Sequence, residues 1–304
     1  MPEQQFSDMT QVLLRSGGLY DQAEAALQRA LATNPHNTKA LLKLGDIYRG
    51  KGDFTAAVDM YRRLTALQPE HRLASYLSAV LSGGDLAEAL APQGAWPAPF
   101  VRMTNFLTRT ECDRLLTLAL AGRERFIPAG LADGDYDRET RSAWLADERT
   151  LQEIRPWFGP KLDRVVPDVL TRLQMEGLDQ YEMDLQMTAH LAEGFYKTHQ
   201  DNTHQRLRRR KLSYVYYFHR EPKRFSGGDL LLYDTDIEAN LGTTTFTRID
   251  PLHNSIIFFP SSYFHQITPV DCDTSDFGDG RFTVNGWLRA KQEGSETGGL
   301  SAES

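Results

Sequence analysis

From Asp184 to Arg289 the chain alternates apolar and polar residues with a period near two, in short runs rich in β-branched and aromatic side chains. Asp184–Leu191, Lys211–His219, Asp229–Asp234, Thr243–Arg248, Asn254–Phe259, His265–Pro269 and Arg281–Arg289 read as strands separated by Gly, Pro, Asn and Asp. Upstream the period becomes helical. Thr108-Arg-Thr-Glu111 is a capping box ahead of the apolar-periodic Cys112–Ala121. A second helical stretch runs from Glu148 to Gln174, and Pro156, Pro160 and Pro167 predict that it is divided into short helices or kinked. Phe100-Val-Arg-Met suggests a short strand before them. Many short strands behind a helical flank predict a double-sheet jelly roll with helices packed outside it.

The first third carries a different pattern. Pro69 follows Pro35 by 34 residues, and the same interval relates Gly18 to Gly52, Tyr20 to Phe54, Ala23 to Ala57 and Leu27 to Tyr61. Such a period predicts antiparallel helix pairs stacked on one another. Small Gly45 and Ala57 let two helices approach, with Tyr48, Phe54 and Tyr61 filling the space around them. Over Gln4–His71 the pattern resembles the tetratricopeptide repeat. A third unit is incomplete: Arg72–Leu81 makes one helix, Gly83-Gly84 breaks it, and Asp85–Leu90 offers a short second one. Two full units and a partial one are near the lower limit for a free-standing stack, so the array is expected to pack against the C-terminal domain. The resemblance implies a concave peptide-binding surface; a rigid spacer or a dimerisation surface is the competing expectation.

These patterns divide the chain into an all-α repeat stack over 1–90, a Pro/Gly/Ala-rich linker over 91–99, an α+β jelly-roll domain over 100–291, and a polar tail over 292–304 expected to be disordered. A chain of 304 residues accommodates two domains. With 40% hydrophobic and 25% charged residues it has the composition of a soluble globular protein. No apolar run reaches membrane-spanning length and Met1-Pro-Glu-Gln-Gln lacks a cationic start, so the cytoplasm is the expected location. Cys112 and Cys272 are expected as free thiols and are too few for a thiolate metal site. A net charge of −7 argues against nucleic acid as a partner. The basic run Arg206–Lys211 reads first as a solvated loop, then as a contact for an acidic substrate.

Candidate chemistry sits on the strands. His199 and Asp201 are two residues apart, so in extended chain an imidazole and a carboxylate project to one face. His265 follows a hydrophobic strand and a Ser-Ser turn. Two His and one carboxylate with open positions are the donor set of a non-haem Fe(II) oxygenase. Arg281-x-Thr283 offers a guanidinium fork and a hydroxyl on one strand face, a receptor for a buried carboxylate. His204, His219 and His253 read as solvated turn residues, and His36 and His71 as loop residues.

Taken in order, Gly194-Phe-Tyr-Lys-Thr-His199-Gln-Asp201, Leu212-Ser-Tyr-Val-Tyr-Tyr-Phe, Phe225-Ser-Gly227-Gly228-Asp-Leu, Phe258-Phe-Pro-Ser-Ser-Tyr-Phe-His265 and Arg281-Phe-Thr-Val-Asn-Gly-Trp resemble the Fe(II)/2-oxoglutarate-dependent dioxygenases, in their prolyl 4-hydroxylase-like branch. The resemblance implies that His199, Asp201 and His265 bind Fe(II), and that Arg281, supported by Thr283, binds the distal carboxylate of 2-oxoglutarate. O2 is then the second cosubstrate, and succinate and CO2 are products. Tyr217 stands where a strand tyrosine assists that carboxylate, with strand phase deciding between it and its neighbours Tyr214 and Tyr216. His190 stands where many relatives carry a tyrosine. It either hydrogen-bonds 2-oxoglutarate in the tyrosine's place or is an ordinary core or surface histidine. Gln186 shares its face by parity. The implied activity is hydroxylation of a peptide or protein side chain, proline favoured. Hydroxylation of a free amino acid or small molecule, with the repeats serving dimerisation, is the second reading, and a repeat-based adaptor without activity the third.

Overall fold

A computed structural model describes residues 17–84, 86, 94–130, 138–175 and 177–291. The start of the first repeat unit before residue 17, the helix expected over 85–90 (Leu86 apart) and the tail 292–304 lie outside the described residues.

Four helices make the N-terminal stack: α1 (Gly17–Thr33), α2 (Thr38–Lys51), α3 (Phe54–Leu67) and α4 (Arg72–Ser82). The starts of α2, α3 and α4 are capped by side chains. Asn37, Asp53 and His71 each accept from the backbone N–H three residues on, so His71 is a cap rather than a free loop residue. Gly52 and Gly83, at φ 81° and 69°, end α2 and α4 in the left-handed conformation that glycine tolerates. Gly45 is a contact requirement: a Cβ there would lie 2.5 Å from the Tyr61 ring.

The C-terminal half is two large antiparallel sheets and a two-stranded pair, β9 (Phe225–Gly227) with β14 (Val270–Cys272). Strands β1 (Val101–Thr104), β2 (Phe126–Pro128), β4 (Trp144–Ala146), β5 (Tyr181–Met183), β6 (Gln186–His190), β8 (Arg210–Phe218), β12 (Ser255–Pro260) and β15 (Arg281–Ala290) form the larger one, in the order β1-β12-β8-β15-β6-β4-β2 with β5 also on β15. Strands β3 (Arg141–Ser142), β7 (Phe195–His199), β10 (Leu230–Asp236), β11 (Leu241–Ile249) and β13 (His265–Ile267) form the smaller one, ordered β11-β10-β13-β7-β3. The seven strands read from periodicity all occur, shifted by a residue or two at their ends. Strands β2, β3 and β4 carry too few residues to show a period and were not legible.

The larger sheet has two apolar faces. On β8, Tyr214, Tyr216 and Phe218 point one way, into a core made with the helices α5 (Arg109–Ala121) and α6 (Glu148–Arg172). Tyr217 points the other way, between the sheets. Helix α6 corrects the first of the two expectations, division into short helices: it is continuous over 25 residues. Pro156, Pro160 and Pro167 all lie on its exposed side, where the carbonyls they leave unpaired face water. Leu151, Ile154, Phe158, Leu162, Val166 and Val169 form a buried stripe on the other side, and that packing holds the helix together.

The helical stack has no core separate from the sandwich. Leu41, Leu44, Tyr61, Leu64 and Tyr76 belong to one apolar cluster with Tyr217, Leu230, Leu232, Ile257 and Phe259 from between the sheets. Arg49 of α2 reaches the smaller sheet and donates to both oxygens of Asp234, at 2.7 and 2.8 Å, and to Thr247 Oγ1 at 3.2 Å. The expected linker is laid into this junction over its described part. Trp96 exchanges backbone hydrogen bonds with Thr235, and Tyr76 donates to the Pro97 carbonyl at 3.0 Å. Ala98 and Phe100 are buried. Cys112 and Cys272 are free thiols. Among the described residues no helix is long and apolar enough to cross a membrane.

Candidate functional site

A cavity of about 380 Å³ opens between the two sheets. Its walls are the inward positions of β6, β8 and β15 on one side and of β7 and β13 on the other. Strands β7 and β13 pair with His199 opposite His265, so two residues far apart in sequence become cross-strand neighbours. Asp201 follows β7 by two residues. One ligand atom from each of His199, Asp201 and His265 lies within 4.8 Å of the others. Asp201 Oδ1 stands 3.7 Å from His199 Nε2, and Oδ2 3.4 Å from His265 Nε2.

Both imidazoles are oriented from behind. His199 Nδ1 bonds the Lys197 carbonyl at 2.8 Å and His265 Nδ1 the Tyr263 carbonyl at 3.0 Å. A carbonyl only accepts, so each Nδ1 carries the proton and each Nε2 lone pair points into the cavity. Tyr196 stacks on the His199 ring at 3.6 Å. Burial, and then the neighbouring His265, holds the His199 imidazole neutral, with its pKa lowered to about 3. Burial opposes ionisation of Asp201, but the two histidines and a 2.6 Å hydrogen bond from Ser213 Oγ outweigh it, and the carboxyl stays below the usual carboxylate range. Ser213 is in turn bonded to Ser261 Oγ at 2.9 Å. Neither serine was singled out from the sequence: a serine on an apolar strand has no pattern that marks it as a carboxylate's partner.

Deeper between the sheets stands Arg281. It is 1% exposed, and its Nε and Nη2 have no hydrogen-bond partner among the described residues. Its Nη1 meets His190 Nδ1 at 3.2 Å across the β6–β15 pair. A guanidinium only donates, so Nδ1 is the acceptor and the His190 proton sits on Nε2. That N–H is also buried without a partner. Burial first, then the charges of Arg281 and Arg141, keep His190 neutral, far below its ordinary pKa. Tyr217 lies with its ring 5.0 Å from the Arg281 guanidinium, its hydroxyl facing that charge and without any other partner. Strand phase thus puts Tyr217 inside. Tyr216 is outside, bonded to Asn254, and the Tyr214 hydroxyl is committed to the Asp184 carbonyl at 2.7 Å. Gln186 reaches the cavity with Oε1 unpaired. Thr283 also lines it, but its hydroxyl donates to Asn285 Oδ1 at 3.1 Å rather than serving Arg281.

Arg141 and Arg210 also line the cavity. Arg141, on a strand too short to read from sequence, stands over Tyr196 at 4.8 Å. Arg210 was expected in a solvated loop; it opens β8 and lies 3.4 Å from the Trp287 ring, because the strand begins before the basic run ends. Arg206 and Arg208 remain exposed. His219 is likewise not solvated: it is buried, with Nδ1 on the Arg220 carbonyl and its ring against His253.

The donor set suits a divalent iron: two imidazole nitrogens and one carboxylate, gathered at one place with their remaining polar atoms held. The unpaired donors of Arg281, His190 and Tyr217 suit an anionic oxygen ligand reaching inward from there.

Comparison with known proteins agrees. Residues 185–289 match the family model of the 2OG-Fe(II) oxygenase superfamily, and residues 11–69 and 42–97 match tetratricopeptide repeat models. Residues 185–289 are thus similar to the 2OG-Fe(II) oxygenase superfamily, and the helices ahead of them to tetratricopeptide repeats. An uncharacterized PKHD-type hydroxylase of Synechocystis sp. is 34% identical over 197 residues, which is 64% of this chain and 64% of that protein. The match therefore spans less than two thirds of that relative's length. A prolyl hydroxylase from Trichoplax adhaerens, solved with a hypoxia inducible factor peptide, is 20% identical, with 63% of this chain and 83% of that one covered and a TM-score of 0.47. A Pseudomonas putida prolyl-4-hydroxylase is 20% identical, with 66% and 96% covered and a TM-score of 0.44.

Proposed function

We propose that this chain is an Fe(II)- and 2-oxoglutarate-dependent hydroxylase whose substrate is a peptide or protein side chain, proline favoured. The observation that carries the oxygenase reading is the pairing of two sites in one cavity. A His-Asp-His cluster lies within 4.8 Å, and a buried guanidinium with two unpaired donors stands deeper in. In this reading His199, Asp201 and His265 hold the iron, and Arg281 holds the far carboxylate of 2-oxoglutarate. His190 Nε2–H and the Tyr217 hydroxyl are further donors to that cosubstrate. When bound, Fe(II) and 2-oxoglutarate together activate O2 and deliver one oxygen atom to a C–H bond, with 2-oxoglutarate leaving as succinate and CO2.

The chain's own residues bind, orient and exclude. The Lys197 and Tyr263 carbonyls keep both Nε2 lone pairs turned inward, and Ser213 holds the Asp201 carboxylate. Arg281 sets the direction in which a dicarboxylate can enter, because its buried charge finds compensation only at that end of the cavity. Arg141, Arg210 and Trp287 are the polar and aromatic wall left for the substrate.

The peptide reading leans on the repeats and on the prolyl 4-hydroxylase-like motifs of the strands. One observation favours the small-molecule reading: the α2 side bearing Arg49 and Gly50 is pressed onto β11 and is not free to capture a peptide. Dimerisation through the remaining helix surface belongs to that second reading. The test is 2-oxoglutarate- and O2-dependent succinate release by the full chain, with mass spectrometry of host peptides and free amino acids for a gain of one oxygen. Succinate release that His199→Ala abolishes supports the oxygenase. Oxygen gained by free amino acids and never by peptides overturns the peptide assignment. No succinate under any condition leaves the adaptor reading.

A further inference from the structure

Arg281 runs beside a carboxylate that it does not bond. The turn Gly227-Gly228, both at φ 67°, passes so close that a Cβ at Gly228 would lie 2.6 Å from Arg281 Cδ. The next residue, Asp229, is buried, and its charge reaches both Arg281 and Tyr217. Its carboxylate is taken from the other side. Arg248 of β11 donates to Asp229 Oδ2 from Nε at 2.8 Å and also from Nη2. The Asp229 backbone N–H is fixed by Thr268 Oγ1 at 2.9 Å.

A buried guanidinium with spare donors and a neighbouring carboxylate attract strongly where water is excluded. Something must keep the two apart if Arg281 is to stay free for a ligand. Arg248 stands in the place to do it, and the helical stack backs the strand it acts from. Gly52 lies against the Arg248 carbonyl, with a Cβ there 3.3 Å away. Arg49 donates to Thr247, the residue before it.

Resting on the reading of Arg281 as the cosubstrate anchor, we propose that Arg248 is a positioning residue for the cosubstrate: by holding Asp229 it prevents an internal Asp229–Arg281 pair, and so keeps the guanidinium available to a dicarboxylate. Arg248 is neither among the residues that line the cavity nor in the His-Asp-His cluster. It acts through Asp229, and removing both members of the pair should undo the effect of removing Arg248 alone.

The experiment is calorimetric titration of 2-oxoglutarate into the full-length protein loaded anaerobically with Fe(II). Arg248→Ala is expected to raise the Kd by roughly threefold to tenfold, the size of coupling found between charges in contact. The double variant Arg248→Ala/Asp229→Asn is expected to return to within about twofold of the parent, since the competing carboxylate is gone. Arg248→Lys, which keeps a cation near Asp229, is expected to lie between parent and alanine variant. Thermal unfolding of each variant reports its folding. If Arg248→Ala does not fold, Arg248→Gln with and without Asp229→Asn makes the same comparison. Unchanged affinity in the single variant, or a double variant as weak as the single, overturns the proposal. A parent protein that binds no 2-oxoglutarate overturns the underlying function instead.

Discussion

Two arginines, Arg49 and Arg281, are each 1% exposed, yet they live in opposite circumstances. Arg49, at the seam between helices and sandwich, spends its guanidinium on Asp234 and Thr247. Burial alone would disfavour its charge, but Asp234 outweighs that and its pKa rises. Arg281, in the cavity, has no carboxylate within ion-pair distance among the described residues, and burial lowers its pKa. An isolated buried charge is costly unless something pairs with it. The first arginine has its charge met by a carboxylate and keeps only Nε without a partner; the second has Nε and Nη2 without one and, among the described residues, no carboxylate to meet its charge. Burial does not separate the two arginines; the presence or absence of a partner carboxylate does.

The sharpest way to break this comparison is to remove each guanidinium. Arg49→Met leaves Asp234 unpaired in a mostly buried seam and is expected to cost ~3–5 kcal/mol in denaturant unfolding. Arg281→Met relieves a buried, unpaired charge and is expected to leave the ligand-free protein at least as stable. Equal losses from both would end the distinction. Next in size, saturating 2-oxoglutarate with anaerobic Fe(II) should stabilise the parent by ~2.7 kcal/mol at a hundredfold excess over Kd, and Arg281→Met by almost nothing.

A smaller effect is expected from pH. His190 is neutral in the fold, with its pKa far below the ordinary value of about 6.5 that it regains on unfolding. Below that value the unfolded chain takes up a proton that the folded one refuses. Stability is therefore full above pH ~6.5 and falls with acidification, by up to ~1.4 kcal/mol per pH unit from this group. His190→Asn should flatten that slope between pH 6.5 and 5 in chemical denaturation; an unchanged slope would show that His190 is not held neutral. The smallest effect is expected from Tyr217→Phe. It removes a buried hydroxyl with no partner besides Arg281, so stability should change by less than ~1 kcal/mol, while 2-oxoglutarate affinity falls a few-fold if that hydroxyl is a donor to the ligand.

The strands, the repeats and the four residues His199, Asp201, His265 and Arg281 were legible in the linear chain. A period of two or of 34 is written into the residue pattern, and the candidate metal and anion donors sit at marked places on those strands. Of the two outcomes expected at Pro156, Pro160 and Pro167, division into short helices did not occur, because an apolar stripe on the opposite side of α6 outweighed the prolines. Strand β3 and its Arg141 had too little periodicity to be seen.

Local sequence determined which elements form and which residue types they present, since backbone preference and side-chain alternation act over a few residues. Tertiary structure decided what each group does. Strand phase put Tyr217 rather than Tyr214 or Tyr216 with its hydroxyl toward Arg281 between the sheets. Pairing of β7 with β13 set His199 against His265, and pairing of β6 with β15 gave His190 its tautomer. Partners distant in sequence gave Arg49 a carboxylate and gave Arg281 none. Hydrogen-bond satisfaction and electrostatic balance depend on which groups meet in space, and no stretch of neighbouring residues carries that information.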